Sequence, residues 1–194
     1  MSDEKVAQSS NQPAGAPQLG WNQMALGVEL LMQKNLVAPA LTLIYSMIDS
    51  MAWAARPQDH PDVTGADFIA WVDQYMLPSR GIKCTAGELY AARCAILHSL
   101  STESRHVRNG KARAILYAWG TADTTKLERG IKLTGKSAVA LHIGDLVFGL
   151  SEGSRRFWRA ADSDPKLDAI IRPRFNRSTR PFPSSVRKRV WIAC

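Results

Sequence analysis

The sequence predicts a mainly α fold, a helical bundle with a small β-hairpin insertion, and three observations carry that reading. Apolar residues recur every three or four positions through most of the chain, the period of a helix with one buried face. Two capping boxes, Thr64 with Asp67 and Thr85 with Glu88, open two of these runs by satisfying amides that a helix start leaves free. Strand-like composition is confined to residues 114–119, with residues 130–134 as the candidate partner strand of a hairpin. So few strands among so many helical runs argue for a bundle and against a large parallel sheet.

Each element follows in chain order. Residues 1–18 are polar with Pro and Gly, have little to bury, and are expected to be disordered. Residues 21–34 read as a first helix with Met24, Leu26, Val28, Leu30 and Leu31. Residues 36–55 read as a longer second helix, with Pro39 in the first turn, where its missing N–H is no loss. Leu43, Ile44, Met47, Ile48 and Met51 form its core face, and Arg56-Pro57 ends it because the residue before proline avoids the helical region. After a loop at 57–63, Thr64 opens a third helix carrying Phe68, Trp71, Val72 and Tyr75, and Thr85 opens a fourth. Residues 99–110 are polar and basic, the composition of an exposed loop. Beyond the hairpin, residues 137–159 read as a long amphipathic helix with Ile143, Leu146, Leu150 and Phe157 inward. Asp164-Pro165 starts a short last helix that stops before Pro173. The resulting division is a disordered segment at 1–18, a helical domain at 19–171 and a basic tail at 172–194.

With 194 residues and 45% hydrophobic content, the chain can bury one substantial core. No uninterrupted apolar run reaches the roughly 20 residues of a membrane span, and residues 1–18 lack the apolar centre of a signal peptide. A cytoplasmic protein with no membrane partner is therefore expected. Three cysteines, Cys84, Cys94 and Cys194, make no disulfide framework. Together with His98 and His106, Cys84 and Cys94 match no common zinc spacing, so neither metal nor cofactor is expected. The net charge of +8 favours a polyanionic partner, above all nucleic acid. No acid follows Asp168, while Arg172, Arg174, Arg177, Arg180, Arg187, Lys188 and Arg189 do, interleaved with Phe175, Phe182 and Trp191. Guanidinium groups neutralise phosphates and aromatic rings stack on unpaired bases, so this tail is a candidate RNA-binding segment. A tail that wraps its own domain is the competing reading.

The most informative stretch is Thr85-Ala86-Gly87-Glu88-Leu89-Tyr90-Ala91-Ala92-Arg93-Cys94-Ala95-Ile96-Leu97-His98. It is a capped, largely apolar helix bearing one arginine and one histidine with four residues between them. Chance alone yields about 0.3 such spacings in a chain of this composition, so the helical context carries the signal. Five residues of helix separate the two side chains by roughly 7.5 Å along the axis and about 140° around it. Both can then border one cleft made with another helix or another subunit. Arginine there can bind a phosphate and histidine can move a proton. The bland alternative pairs Arg93 with Asp49 inside the core and leaves His98 as a helix cap.

Taken with Ile44-Tyr45-Ser46-Met47-Ile48-Asp49 on the preceding long helix, this segment resembles the Arg-x4-His signature of the HEPN superfamily. The resemblance covers residues 36–100 in element order. It implies a HEPN-like helical bundle and a metal-independent endoribonuclease of toxin or defence type, acting at the cleft of a homodimer. By the same resemblance Arg93 binds the scissile phosphate, His98 transfers the proton and Asp49 holds the guanidinium, leaving a 2′,3′-cyclic phosphate and a 5′-hydroxyl. An antitoxin or regulatory protein is an expected further partner. The sequence departs from active members at Cys94, where they carry a polar residue. A non-catalytic HEPN-like module for RNA binding or dimerisation is therefore the alternative.

A second string competes. Gly130-Ile131-Lys132-Leu133-Thr134-Gly135-Lys136-Ser137 fits the G-x4-G-K-[ST] phosphate loop, in which Lys136 reaches the phosphates of a nucleotide. The residues before it, Thr124 to Arg129, are too polar for the buried strand such a loop follows, and too little chain remains for an alternating βα core. A nucleotide-binding enzyme is the further alternative, and its weaker form lets Lys136 hold an RNA phosphate.

Overall fold

Two helices joined by a tight turn begin the structure. In this computed structural model, which describes residues 16–178, α1 (Ala16–Gln33) and α2 (Val37–Ala55) pack side by side. Gly27 permits their close approach, since a Cβ there would sit 3.1 Å from Leu43 Cδ1. Asn35 turns the chain between them with φ 56°, in the left-handed region that asparagine tolerates better than most residues. α2 is then the hub of the bundle. It contacts α3 (Gly65–Trp71), α4 (Ala86–Ser99), α7 (Ile143–Ser163) and α8 (Pro165–Ser178), and Ile44, Tyr45, Ile48 and Met51 on it are fully buried. By length and composition α2 is apolar enough to cross a membrane, but half of it is buried inside this protein, where it serves as the core helix.

Both capping boxes form as expected. Thr64 accepts from the Asp67 amide while the Asp67 carboxylate accepts from the Thr64 amide at 2.8 Å, and Thr85 and Glu88 repeat the exchange at the start of α4. α3 runs directly into a π-helical turn, Val72–Met76. Arg156 of α7 steadies that turn, donating to the Tyr75 carbonyl at 2.7 Å and to Ser79 Oγ at 2.9 Å. Trp71, Tyr75 and Phe157 stack beneath it with centroids 5.3 to 6.2 Å apart. Gly153 faces this cluster because a Cβ would meet Trp71 and backbone atoms of Met76 and Tyr75, all at 3.2 Å. The polar run after α4 is not wholly a loop, since Ser104 caps a short helix α5 (Arg105–Arg108).

The β insertion is present but differs in kind from a hairpin. β1 (Ala114–Ala118) pairs in parallel with β2 (Ala138–His142), in the register Ala114 with Ala138 through Ala118 with His142. Parallel neighbours need a crossover, and α6 (Thr125–Thr134) supplies it. Residues 130–134, expected as the partner strand, are therefore helical, while residues 138–142, expected as helix, form the strand. β2 contacts α6 and α7 as well as β1, and Val139, Ala140 and Leu141 are all buried, so its run Ala-Val-Ala-Leu lacks the alternation of a half-exposed strand. At its end His142 Nδ1 accepts from the Gly144 amide and starts α7.

α8 also outruns its expected end, continuing through Pro173 to Ser178. Proline at 173 removes the amide that would bond the Ala169 carbonyl, and Ala169 is exposed, so water can satisfy that carbonyl. Burial of Ile171 and Phe175 in the core holds the helix on course.

Candidate functional site on the fourth helix

Arg93 and Asp49 are brought together across the α2–α4 contact. Arg93 Nε donates to Asp49 Oδ2 at 2.8 Å, and Nη2 lies 2.8 Å from the same oxygen as an ion-pair contact. The two side chains are 24% and 23% exposed, so the pair sits at the rim of the bundle and not in its core. Burial alone would weaken the hold of the guanidinium on its proton. The hydrogen bond and charge of Asp49, assisted by the Cys94 thiol, more than offset this and raise Arg93 above its ordinary value. The charge-assisted bond from Nε, with Nη2 beside the same oxygen, turns the guanidinium toward Asp49.

Tyr90 lies one turn before Cys94 on the same face of the helix, and the two side chains interact electrostatically. The Tyr90 ring is set by Phe68 and His106, with centroids 5.6 Å away on each side, and by Gly65, where a Cβ would fall 2.5 Å from the ring. Burial, followed by the charge of Cys94, moves the Tyr90 phenol upward. α4 therefore presents a row of Tyr90, Cys94 and Arg93, closed by Asp49 from α2. His98 lies further along the same helix, in its last turn, and is exposed. Among the described residues it makes no hydrogen bond or ion pair. Leu100, in the left-handed conformation with φ 47°, closes the helix just beyond it and is 71% exposed.

The other end of α4 carries a different ion pair. Glu88, the capping-box acid, accepts from Arg113 at 2.5 and 3.1 Å, and its side chain is 8% exposed. Burial would raise the carboxyl, but Arg113 and the Thr85 amide outweigh it and hold Glu88 below the usual glutamate range. Nearby, the Tyr45 and Tyr117 hydroxyls share a hydrogen bond of 2.5 Å, tying α2 to β1. Burial, then the Tyr117 neighbour, drives the Tyr45 phenol well upward. Cys84 beside them is pushed up to about 12 by burial and by Glu88, so it is a neutral thiol. These tyrosine and glutamate contacts carried no signal in the sequence, because each joins residues 25 or 72 positions apart.

The other candidates are dispersed. Arg172 pairs with Asp168 and Asp162, on an exposed face of α8. Arg174 is turned inward and donates to the Ala54, Arg56 and Pro57 carbonyls, capping the end of α2. Burial lowers the Arg174 guanidinium, with the Arg56 charge adding to the effect. Arg180, Arg187, Lys188 and Arg189 lie outside the described residues, as does the side chain of Arg177. Lys136 is exposed between α6 and β2. The string from Gly130 to Ser137 does not take the shape of a phosphate loop: it begins inside α6, Gly135 ends that helix at φ 63°, and a strand follows. A phosphate loop needs a strand before it and a helix after it. Among the described residues no group of three or more His, Cys, Asp or Glu side chains converges as a metal site.

Compared with known protein families, curated proteins and solved structures, the chain matches none.

Proposed function

We propose that this protein is a HEPN-like, metal-independent endoribonuclease whose reacting groups are Arg93 and His98, with Asp49 as the positioning acid. The observation that carries the reading is the Arg93–Asp49 pair itself. A carboxylate on the hub helix orients an arginine that sits at the surface, 44 residues away in sequence. A guanidinium fixed in this way can receive a phosphodiester without reorganising, the condition for electrostatic stabilisation of a pentacoordinate phosphorus. His98, exposed on the same rigid helix, can then take the proton of the ribose 2′-hydroxyl or give one to the departing 5′-oxygen. The 2′-oxygen forms the new bond to phosphorus as the bond to the 5′-oxygen breaks, leaving a cyclic phosphate and a hydroxyl. On this reading a second copy of the chain completes the cleft, and an antitoxin or regulator restrains it in a cytoplasmic toxin or defence role.

A second reading is favoured by one observation. The position after the arginine holds Cys94, whose thiol is a weak donor toward a phosphate oxygen. A module of that kind binds RNA or dimerises and cleaves nothing.

Incubation of mixed RNA with the full chain in EDTA, beside His98→Ala, separates the two. The ribonuclease yields cyclic-phosphate ends that His98→Ala reduces by roughly 10²- to 10⁴-fold, the usual contribution of a proton-transfer group. Intact RNA with folded parent protein, together with salt-dependent binding, supports the module and sinks the nuclease.

A further inference from the structure

The β1–α6–β2 unit has no part in the site above, yet it carries a cavity of about 750 Å³ at the carboxyl end of β1. In parallel βα units the strand ends open onto crevices of this sort, away from the strands' starting edge. Trp119, Leu127 and Ala122 supply apolar wall, while Asn35 and Lys126 supply polar groups. Trp119 is 42% exposed although it directly follows a strand whose last residue is buried. A large indole left at the mouth of a concave surface is unusual where neighbouring apolar residues could have covered it.

α6 extends this feature. None of its residues is buried. At about 100° per residue, Leu127 and Ile131 fall on the side packed toward the sheet, and Lys126, Arg129 and Leu133 share the outward face with Lys132 at its flank. Lys126, Arg129 and Lys132 are exposed and, among the described residues, form no ion pair within 4 Å. Of the acids nearby, Glu128 is bridged by Lys83 at 2.9 Å, while Asp123, which also lines the cavity, accepts from the Thr125 amide and leaves one negative charge beside Lys126. The surface is thus a row of cations leading to an exposed aromatic ring in a cavity.

We propose that the Trp119 cavity and the outward face of α6 form a binding site for single-stranded RNA, with a base on the Trp119 ring and phosphates along Lys126, Arg129 and Lys132. This rests on RNA being the protein's partner and gives that partner a second contact. Three exposed cations outside any close ion pair call for a polyanion, and an exposed indole calls for an unpaired base. A duplex would bury its bases and leave the indole unused. The cavity adjoins the start of α2, and Asp49 lies 12 residues along that helix, so about 18 Å separates the two sites. A strand several nucleotides long can bridge them.

The test is direct binding of a labelled oligouridine, about 12 nucleotides and within the usual range for single-strand sites. His98→Ala is the background in all samples, so that cleavage does not interfere. Trp119→Ala should weaken binding about tenfold or more, Trp119→Phe should keep most of it, and Lys126→Glu with Arg129→Glu should flatten the dependence on salt by roughly 1.4 in log–log slope. Each variant is checked for an unchanged melting temperature. Affinity unaltered in both the tryptophan and the charge variants overturns the proposal, as does failure of the background chain to bind at low salt. Loss of self-association in the charge variants with RNA affinity intact also overturns it, assigning the face to protein contact. The nuclease reading fails separately: an inactive parent that binds through Trp119 leaves this site standing, and a cleaving parent indifferent to Trp119 leaves only the nuclease.

Discussion

Helix α4 holds two ion pairs, and they differ in what surrounds them. At its start, Glu88 is nearly buried, closes a capping box and receives Arg113 from the edge of β1. One turn and a half later, Arg93 and Asp49 are equally and partly exposed, and neither caps anything. The first pair satisfies a carboxylate that burial would otherwise make costly. The second holds a guanidinium against one carboxylate oxygen where water could have served both partners. Stability accounts for Glu88 and Arg113. It accounts poorly for Arg93 and Asp49, because ion pairs at such exposure contribute only about 0.2–1 kcal/mol. The difference separates a structural pair from a candidate functional one on the same element.

Arg93→Ala should produce the largest effect, a fall in RNA cleavage of roughly 10²- to 10³-fold, comparable to deleting a donor that stabilises a transition-state anion. Its melting temperature should change by only about 2–4 °C, as expected for losing about 1 kcal/mol from a domain of this size. A large thermal shift with unchanged cleavage would erase the contrast. Glu88→Ala should do the reverse, costing about 3 kcal/mol as the cap and its partner are lost, with the rate per folded molecule preserved. Calorimetry beside the cleavage assay reads both arms.

Acid sharpens the comparison further. Glu88 is held below the ordinary value of 4.5, so the unfolded chain binds its proton more readily than the folded one. Its contribution is complete above that ordinary value and is lost as pH falls through the lower, folded value. Melting temperature in the parent should therefore decline below about pH 4.5, and Glu88→Gln should lessen the decline. An identical slope in the two proteins would show that Glu88 is not among the groups responsible.

The smallest effect is expected at Gly65. Alanine there must displace the Tyr90 ring, at a cost of about 1–3 kcal/mol for overpacking. Because Tyr90 lies beside Cys94 and Arg93 on α4 and feels the charge of both, a modest fall in cleavage should accompany the thermal shift, and Tyr90→Phe should give the fall alone. Full activity in both would detach Tyr90 from the site.

Legibility followed the range of the interactions. Thr64 with Asp67, Thr85 with Glu88, and the core face of α2 were readable because each is decided within a few residues by capping or by helical period. The same local reading failed at β2, where Ala-Val-Ala-Leu is a short apolar run that fits a buried strand or a buried helix equally well. It failed at Pro173 too, because Ile171 and Phe175 hold α8 to the core past a residue that locally favours a stop. Arg174 appeared among a run of tail cations, and only the end of α2 arriving beside it turned it into a cap.

By itself, the sequence determined the capped starts of α3 and α4, the apolar faces that make a bundle and the spacing of Arg93 and His98. These depend on backbone groups and side chains that are neighbours along the chain. The tertiary structure decided the parallel pairing of β1 with β2, the meeting of Arg93 with Asp49 and of Glu88 with Arg113, and the exposure of Trp119. Such outcomes depend on which surfaces close against one another, and that is settled when the whole core excludes water, not by any local stretch of residues.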